Sequence, residues 1–239
     1  MAYELRSIDA AYGDLSVLSG LSLALPEATV TVMLGPSGCG KTTLLNVIAG
    51  LKEPEGGERL GFGGCRFSYA FQEDRLLPWL DARANLDFAL AGSGLPEAAR
   101  NSRIERFLGA AGLADSASRR PSELSGGMRR RLSLARAFAF PSDLLLLDEA
   151  FQAVDLRMKL ELMDLFSKLL SEESRTVVCV THDVEEAAYL ADFAVVLSAR
   201  PARVVDRFAV AEPRGRRSLG SGAALEAESR LYRLALGRA

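Results

Sequence analysis

The chain has 239 residues, with 29 Lys and Arg against 31 Asp and Glu, for a formal net charge of −2. That length buries a core without help from disulfides or metals, and the charge balance argues against a nucleic-acid binder that works through bulk positive potential. Hydrophobic residues at 49% and charged residues at 25% exclude a disordered or fibrous chain.

Tyr3 to Ile8 is a short mixed run that reads as strand, and Leu21 to Leu25 alternates apolar and small polar residues. Pro26-Glu27 breaks the pattern, and Thr29 to Leu34 is rich in β-branched residues. After the loop Gly35 to Gly40, apolar residues at Leu44, Leu45, Val47 and Ile48 predict a helix over Lys41 to Leu51. Arg59 to Phe71 reads as weak strand. Composition shifts near Leu77-Pro78-Trp79, and residues from about 74 to 138 read as a helical insertion. Pro96 opens one of its helices, with Ile104, Phe107, Leu108 and Ala111 on the apolar face, and Gly126 to Phe140 is another. Strand and helix then alternate: Leu144 to Leu147, Leu156 to Leu170, Arg175 to Val180, Val184 to Leu190 and Phe193 to Leu197. That order predicts a mostly parallel sheet. Ala211 to Gly222 reads as a linker and Ala223 to Leu236 as a short terminal helix.

No apolar run approaches the roughly 18 residues of a membrane span. The N-terminus lacks a basic region followed by an apolar stretch, so no secretory signal is expected. Cys39, Cys65 and Cys179 form no C-x-x-C pair, which points to neither zinc nor disulfides and fits a reducing, cytoplasmic compartment. His182 is the single histidine, so a His-rich metal site is excluded.

Gly35-Pro36-Ser37-Gly38-Cys39-Gly40-Lys41-Thr42 fits G-x-x-x-x-G-K-[ST] between an apolar strand and a helix. Glycines let backbone N–H groups curl around phosphate oxygens, and the helix N-terminus adds positive potential. Lys41 supplies a point charge for the β- and γ-phosphates, and Thr42 a hydroxyl for Mg²⁺. These residues and the adjoining Thr43 form the expected nucleotide-binding set, with Cys39 a small filler. The apolar run Leu144 to Leu147 ends in Asp148-Glu149. Ligands gather at the carboxyl ends of parallel strands, which puts Asp148 near the metal and leaves Glu149 to polarise an attacking water.

Leu124-Ser125-Gly126-Gly127-Met128 completes an ordered set: phosphate loop, Leu-Ser-Gly-Gly segment, acidic strand and Thr181-His182-Asp183. The set resembles the nucleotide-binding subunit of ATP-binding cassette transporters from Tyr12 to about Val205. The resemblance implies an α/β fold: a P-loop NTPase core with a mostly parallel sheet, an antiparallel β edge and an inserted α-helical subdomain. Residues 1–210 would form the ATPase domain and 211–239 a linker and helical tail. Tyr12 matches the aromatic that stacks on adenine. Gln72 matches the glutamine that reaches the metal and attacking water, and His182 the histidine that contacts the γ-phosphate. Ser125, Gly126 and Gly127 match the segment that closes over ATP held by a second copy, and Asp155 the acid that crosses that interface.

The chain departs from the family pattern at Gln152-Ala153-Val154-Asp155, where Ser-Ala-Leu-Asp is common, and at Arg130, where glutamine is common. The run Arg129-Arg130-Arg131 is read as solvent-facing and dimer-facing charge. Phe71-Gln72-Glu73-Asp74-Arg75-Leu76-Leu77-Pro78-Trp79 is similar to importers of nitrate, taurine, sulfonates and related small solutes. That implies integral-membrane permease subunits as partners, a solute-binding protein indirectly, no nucleic acid, and a peripheral place on the cytoplasmic face of the membrane. Leu76, Leu77 and Trp79 are read as the docking surface, the alternative being that Trp79 packs inward. The tail is expected to pack on its own subunit, with no large domain appended. An exporter or lipoprotein-release cassette, a soluble non-transport ATPase and a non-catalytic cassette remain as alternatives.

Overall fold

The computed structural model describes residues 3–152, 154–214, 217 and 222–235. Its elements run β1 (Tyr3–Tyr12), β2 (Leu15–Leu25), β3 (Val30–Leu34), α1 (Lys41–Ala49), β4 (Gly56–Leu60), β5 (Phe67–Ala70), α2 (Ala82–Leu90) and α3 (Glu97–Ala110). After two single-turn helices come α4 (Gly126–Ala139), β6 (Leu144–Asp148), α5 (Leu156–Glu172), β7 (Thr176–Thr181), α6 (Val184–Leu190), β8 (Phe193–Leu197), β9 (Val204–Ala209) and α7 (Gly222–Ala235). One sheet has the order β5-β6-β7-β3-β8-β9, parallel except for β9. A second, antiparallel sheet has the order β2-β1-β4.

The central strands are apolar on both faces because both faces are covered. Leu145 and Leu147 of β6 join Val177 and Cys179 of β7 in a core with α4, α5 and α6, where Phe138 and Phe151 meet Phe166 edge-on. Leu144 and Leu146 join Val178, Val180 and Met33 in a second core with Leu44, Leu45, Val47 and Ile48 of α1. Leu5, Ile8 and Leu21 of the antiparallel sheet close that core from the other side, so α1 lies between the two sheets. The phosphate loop is thus anchored at both ends, on the central strand β3 and on a helix buried between layers.

Helices α2, α3 and α4 fall between β5 and β6, as the composition shift predicts. Fully buried Asn85 holds the preceding turn by donating to the carbonyls of Leu77, Leu80 and Asp81. Helix α7 packs against α6 and β8 through Leu231, which agrees with a tail that docks on its own subunit. Residues 215, 216 and 218–221 of the expected linker, and Leu236 of the expected helix, lie outside the described residues.

Several expected boundaries move. The run Arg59 to Phe71 divides between the two sheets as β4 and β5, because Gly61 and Gly64 take positive φ (84° and 76°) and turn the chain. β2 begins at Leu15, not Leu21, and β1 continues to Tyr12 through register shifts. Helix α1 stops at Ala49 because Gly50 adopts the left-handed conformation and donates to the carbonyl of Val47. The arginine run is not chiefly free surface charge. Arg129 donates to the carbonyl of Leu124, Arg130 pairs with Asp74 and Arg131 with Glu161.

Candidate active site

An open cleft of about 410 Å³ lies over the phosphate loop, lined by Tyr12, Val17, Lys41, Thr42, Gln72 and Glu149 among others. It sits at the carboxyl ends of β3 and β6, where the topology reverses and a parallel sheet opens a crevice. Gly40 opens α1 at φ 120°, and a Cβ there would stand 2.6 Å from Val17 Cγ1. Gly35 is equally confined, since its Cβ would meet Cys39 Sγ at 2.9 Å. Cys39 itself is buried and its thiol is pushed up by that burial, which suits a filler rather than a nucleophile.

Lys41 is buried, and its ammonium donates to the carbonyls of Gly35 (2.9 Å) and Pro36 (3.2 Å). The same nitrogen lies 3.4 Å from Glu149 Oε1, and that oxygen lies 3.3 Å from His182 Nδ1. Glu149 reaches this position with φ 47°, a conformation rare for a residue with a side chain, while its N–H donates to the carbonyl of Val180. Glu149 therefore joins Lys41, in this cleft, to His182, which lines a separate cavity of about 340 Å³ with Gly35, Pro36 and Leu197.

Burial raises the carboxyl of Asp148 above its ordinary value, opposed by hydrogen bonds from the Thr42 and Tyr69 hydroxyls. Thr42, Asp148 and the side-chain carbonyl of Gln72 are hard oxygen donors of the kind Mg²⁺ prefers, and Thr42 and Gln72 line the cleft together. Among the described residues, no cluster of three or more His, Cys, Asp or Glu could hold a metal ion. Tyr12, 54% exposed at the end of β1, offers its ring to the cleft and carries the Lys52 ammonium 4.7 Å from its centroid.

Ser37, Gly38 and Thr43 line the cleft, whereas Ser125, Gly126, Gly127 and Asp155 do not. Ser125 and Asp155 cap α4 and α5, each side chain accepting an N–H three residues on. Gly127 packs against Met158, whose Cε would overlap a Cβ there. Gly126, with Gln72, Asp74, Arg130 and Val154, lines a separate cavity of about 530 Å³. Gln72 faces both spaces. Leu76 packs against the core, but Trp79 is 67% exposed and does not pack inward. Sequence reasoning missed Tyr69, which donates to Asp148 at 3.2 Å, and Arg200, which lines the cleft over the glycine-rich loop. Ala202 pairs backbone to backbone with Val17, and this brings the turn carrying Arg200 beside the cleft. No local pattern announces that contact.

A phosphate loop on a buried helix, a paired lysine and glutamate, and a histidine in the turn after the next strand are the features of an ATP-binding cassette. The ABC transporter family matches residues 18–152, and the chain belongs to that family and is an ATPase of it. It is 44% identical over 214 residues to the aliphatic sulfonates import ATP-binding protein SsuB of Mycobacterium avium, covering 90% of this chain and 84% of that one. It is 39% identical over 217 residues to SsuB 1 of Xanthomonas axonopodis pv. citri, covering 87% and 86%. Among solved structures it is similar to the dimeric post-hydrolysis state of the cassette MJ0796 bound to ADP and Pi. That match has a TM-score of 0.74 and 27% identity, over 88% of this chain and all of that one.

Proposed function

We propose that this chain is the ATP-hydrolysing subunit of a membrane importer for a small sulfonate-like solute, working as a head-to-tail pair on the cytoplasmic face of the membrane. Residues 1–210 are the ATPase domain, with 74–138 its helical subdomain, and 211–239 the linker and tail. The observation that carries the catalytic reading is the contact of Glu149 with both Lys41 and His182. The import reading rests on the relatives' names and on Trp79, left exposed beside the loop that begins at Gln72.

Tyr12 stacks on adenine, and the amides from Gly35 to Gly40, with Thr43, hold the phosphates. Lys41 exchanges loop carbonyls for phosphate oxygens and neutralises charge there. Thr42, Asp148 and Gln72 are the residues that would hold magnesium, which would supply charge neutralisation on the phosphates. Glu149 accepts a proton from the attacking water, and His182 and Gln72 orient the γ-phosphate and that water. Ser125, Gly126 and Gly127 of the second copy complete the site, with Asp155 crossing between copies. This accounts for their position outside the cleft of a single chain. Closure on ATP is a population shift driven by contacts made only in the closed pair. The permease, with its solute-binding protein, turns closure and reopening into alternating access. Among the described residues no helix is long and apolar enough to cross a membrane, which is compatible with a peripheral subunit.

The test is a pull-down of tagged Glu149→Gln protein from gently solubilised native membranes with ATP and Mg²⁺, read by mass spectrometry. A multi-span permease should co-purify and be lost with Trp79→Ala. A reproducible ribosomal or DNA-associated partner without any membrane protein would end the transport reading and leave the ATPase.

A further inference from the structure

The two positions at which the sequence departs most plainly from the family pattern, Arg130 and Gln152, touch one another. Arg130 Nη2 donates to the carbonyl of Gln152 at 3.2 Å, and its Nη1 donates to Asp74 Oδ1 at 3.1 Å. The Arg130 side chain is only 11% exposed. Ser133 and Arg136, on the same face of α4, bind the carbonyl of Asp74 as well, so that helix grips the loop beginning at Gln72.

On its other side, Gln152 Nε2 donates to Glu186 Oε1 at 2.8 Å and lies 3.4 Å from Thr181 Oγ1. Glu186 is fully buried and accepts the Thr181 hydroxyl at 2.6 Å. The Lys159 ammonium lies 3.4 Å from Glu186 Oε1. Thr181 Oγ1 in turn accepts the N–H of Asp183 at 3.0 Å. An unbroken polar chain therefore runs from the Asp74 loop, through Arg130 and Gln152, to the two residues that flank His182. A buried carboxylate needs all of its partners, so the amide of Gln152 is held in one orientation. A serine hydroxyl at position 152, the common family choice, is too short to reach Glu186 as the glutamine does.

We propose that Arg130 and Gln152 are positioning residues that fix the Thr181–Asp183 turn, and with it His182 beside Glu149, relative to the Asp74 loop. This deepens the catalytic reading above and rests on it for the role of His182. The geometry makes two demands that a merely space-filling pair would not. The turn must loosen when either residue is cut, and activity must return when the hydrogen bond is restored with its partners exchanged.

The experiment has two arms, both on the full-length chain. Hydrogen exchange read by mass spectrometry compares the parent protein with Arg130→Gln and Gln152→Leu. Amides in the segment 181–187 should exchange roughly ten-fold faster in both variants, as expected when a local opening is eased. Steady-state hydrolysis should show kcat reduced at least about ten-fold by Gln152→Glu, with KM for ATP within about two-fold, since misplacement rather than binding is affected. Adding Glu186→Gln to Gln152→Glu exchanges amide and carboxylate and should recover most of that loss. Unchanged exchange at 181–187, or an exchanged pair that recovers nothing, overturns the proposal. If the parent protein hydrolyses no ATP, the catalytic reading fails, and the exchange arm alone decides the positioning.

Discussion

Oε1 of Glu149 lies 3.3 Å from Nδ1 of His182, and this contact joins the end of β6 to the turn after β7. It depends on the left-handed φ of Glu149, a strain of the order of ~1–3 kcal/mol that the surrounding structure must hold. Glu149→Gln preserves the shape of the side chain and removes its basicity. ATP binding should persist while kcat falls by about 10²–10⁴-fold, the usual contribution of a general base. Single-turnover hydrolysis beside equilibrium ATP binding checks this. Turnover at the parental rate would remove Glu149 from the role.

Lys41 is the cleft cation whose ammonium reaches the loop carbonyls of Gly35 and Pro36, whereas Lys52 is engaged with Glu55 and Tyr12. Lys41→Ala should weaken ATP binding by at least about ten-fold, or ~1.4 kcal/mol, measured by calorimetry. The rise in melting temperature on adding ATP should shrink with it. An unchanged ATP affinity would count against the loop assignment.

Gly40 and Gly38 separate two effects at the same loop. Both have positive φ, but a Cβ at Gly40 would meet Val17 at 2.6 Å, whereas nothing lies within 4 Å of one at Gly38. Gly38→Ala should therefore cost only backbone strain, about 1–3 kcal/mol. Gly40→Ala should cost more and should also displace β2 from the cleft. Urea unfolding of the two variants gives the comparison.

Glu186 gives a pH dependence with a defined sign. Burial raises its carboxyl above the ordinary value, against the pull of Thr181 and Lys159. A carboxyl raised in the folded state favours folding below its unfolded pKa, and that contribution is lost as pH rises through the folded value. Glu186→Gln carries no such charge. Its melting temperature relative to the parent protein should therefore climb as the pH rises above the ordinary carboxylate value of about 4.5. A constant difference would contradict the assignment.

The sequence is most legible where one local physical rule suffices. The phosphate loop, the buried run Leu144 to Leu147 and the helix faces of α3 and α4 stand where their patterns put them. It is least legible where tertiary pairing decides. β2 is interrupted by Ser19-Gly20, and only pairing with β1 reveals it as one strand from Leu15. β9 carries Asp206 and Arg207 because it is an antiparallel edge, so it lacks the apolar signature of its neighbours. Within the site, Lys41, Thr42, Asp148 and Glu149 follow from chemistry and position. Tyr69 and Arg200 reach the site through strands far apart in sequence, and no spacing rule links them to it.

The central claim is that one ATP site is built from two copies of this chain. The most direct test is the mass of full-length Glu149→Gln protein in sedimentation, with and without ATP. The account predicts a monomer without nucleotide and a dimer holding two ATP molecules with it, and predicts that a bulky residue in place of Ser125 abolishes the dimer but not ATP binding by the monomer. A protein that stays monomeric at saturating ATP, or a Ser125 variant that dimerises as before, would contradict it.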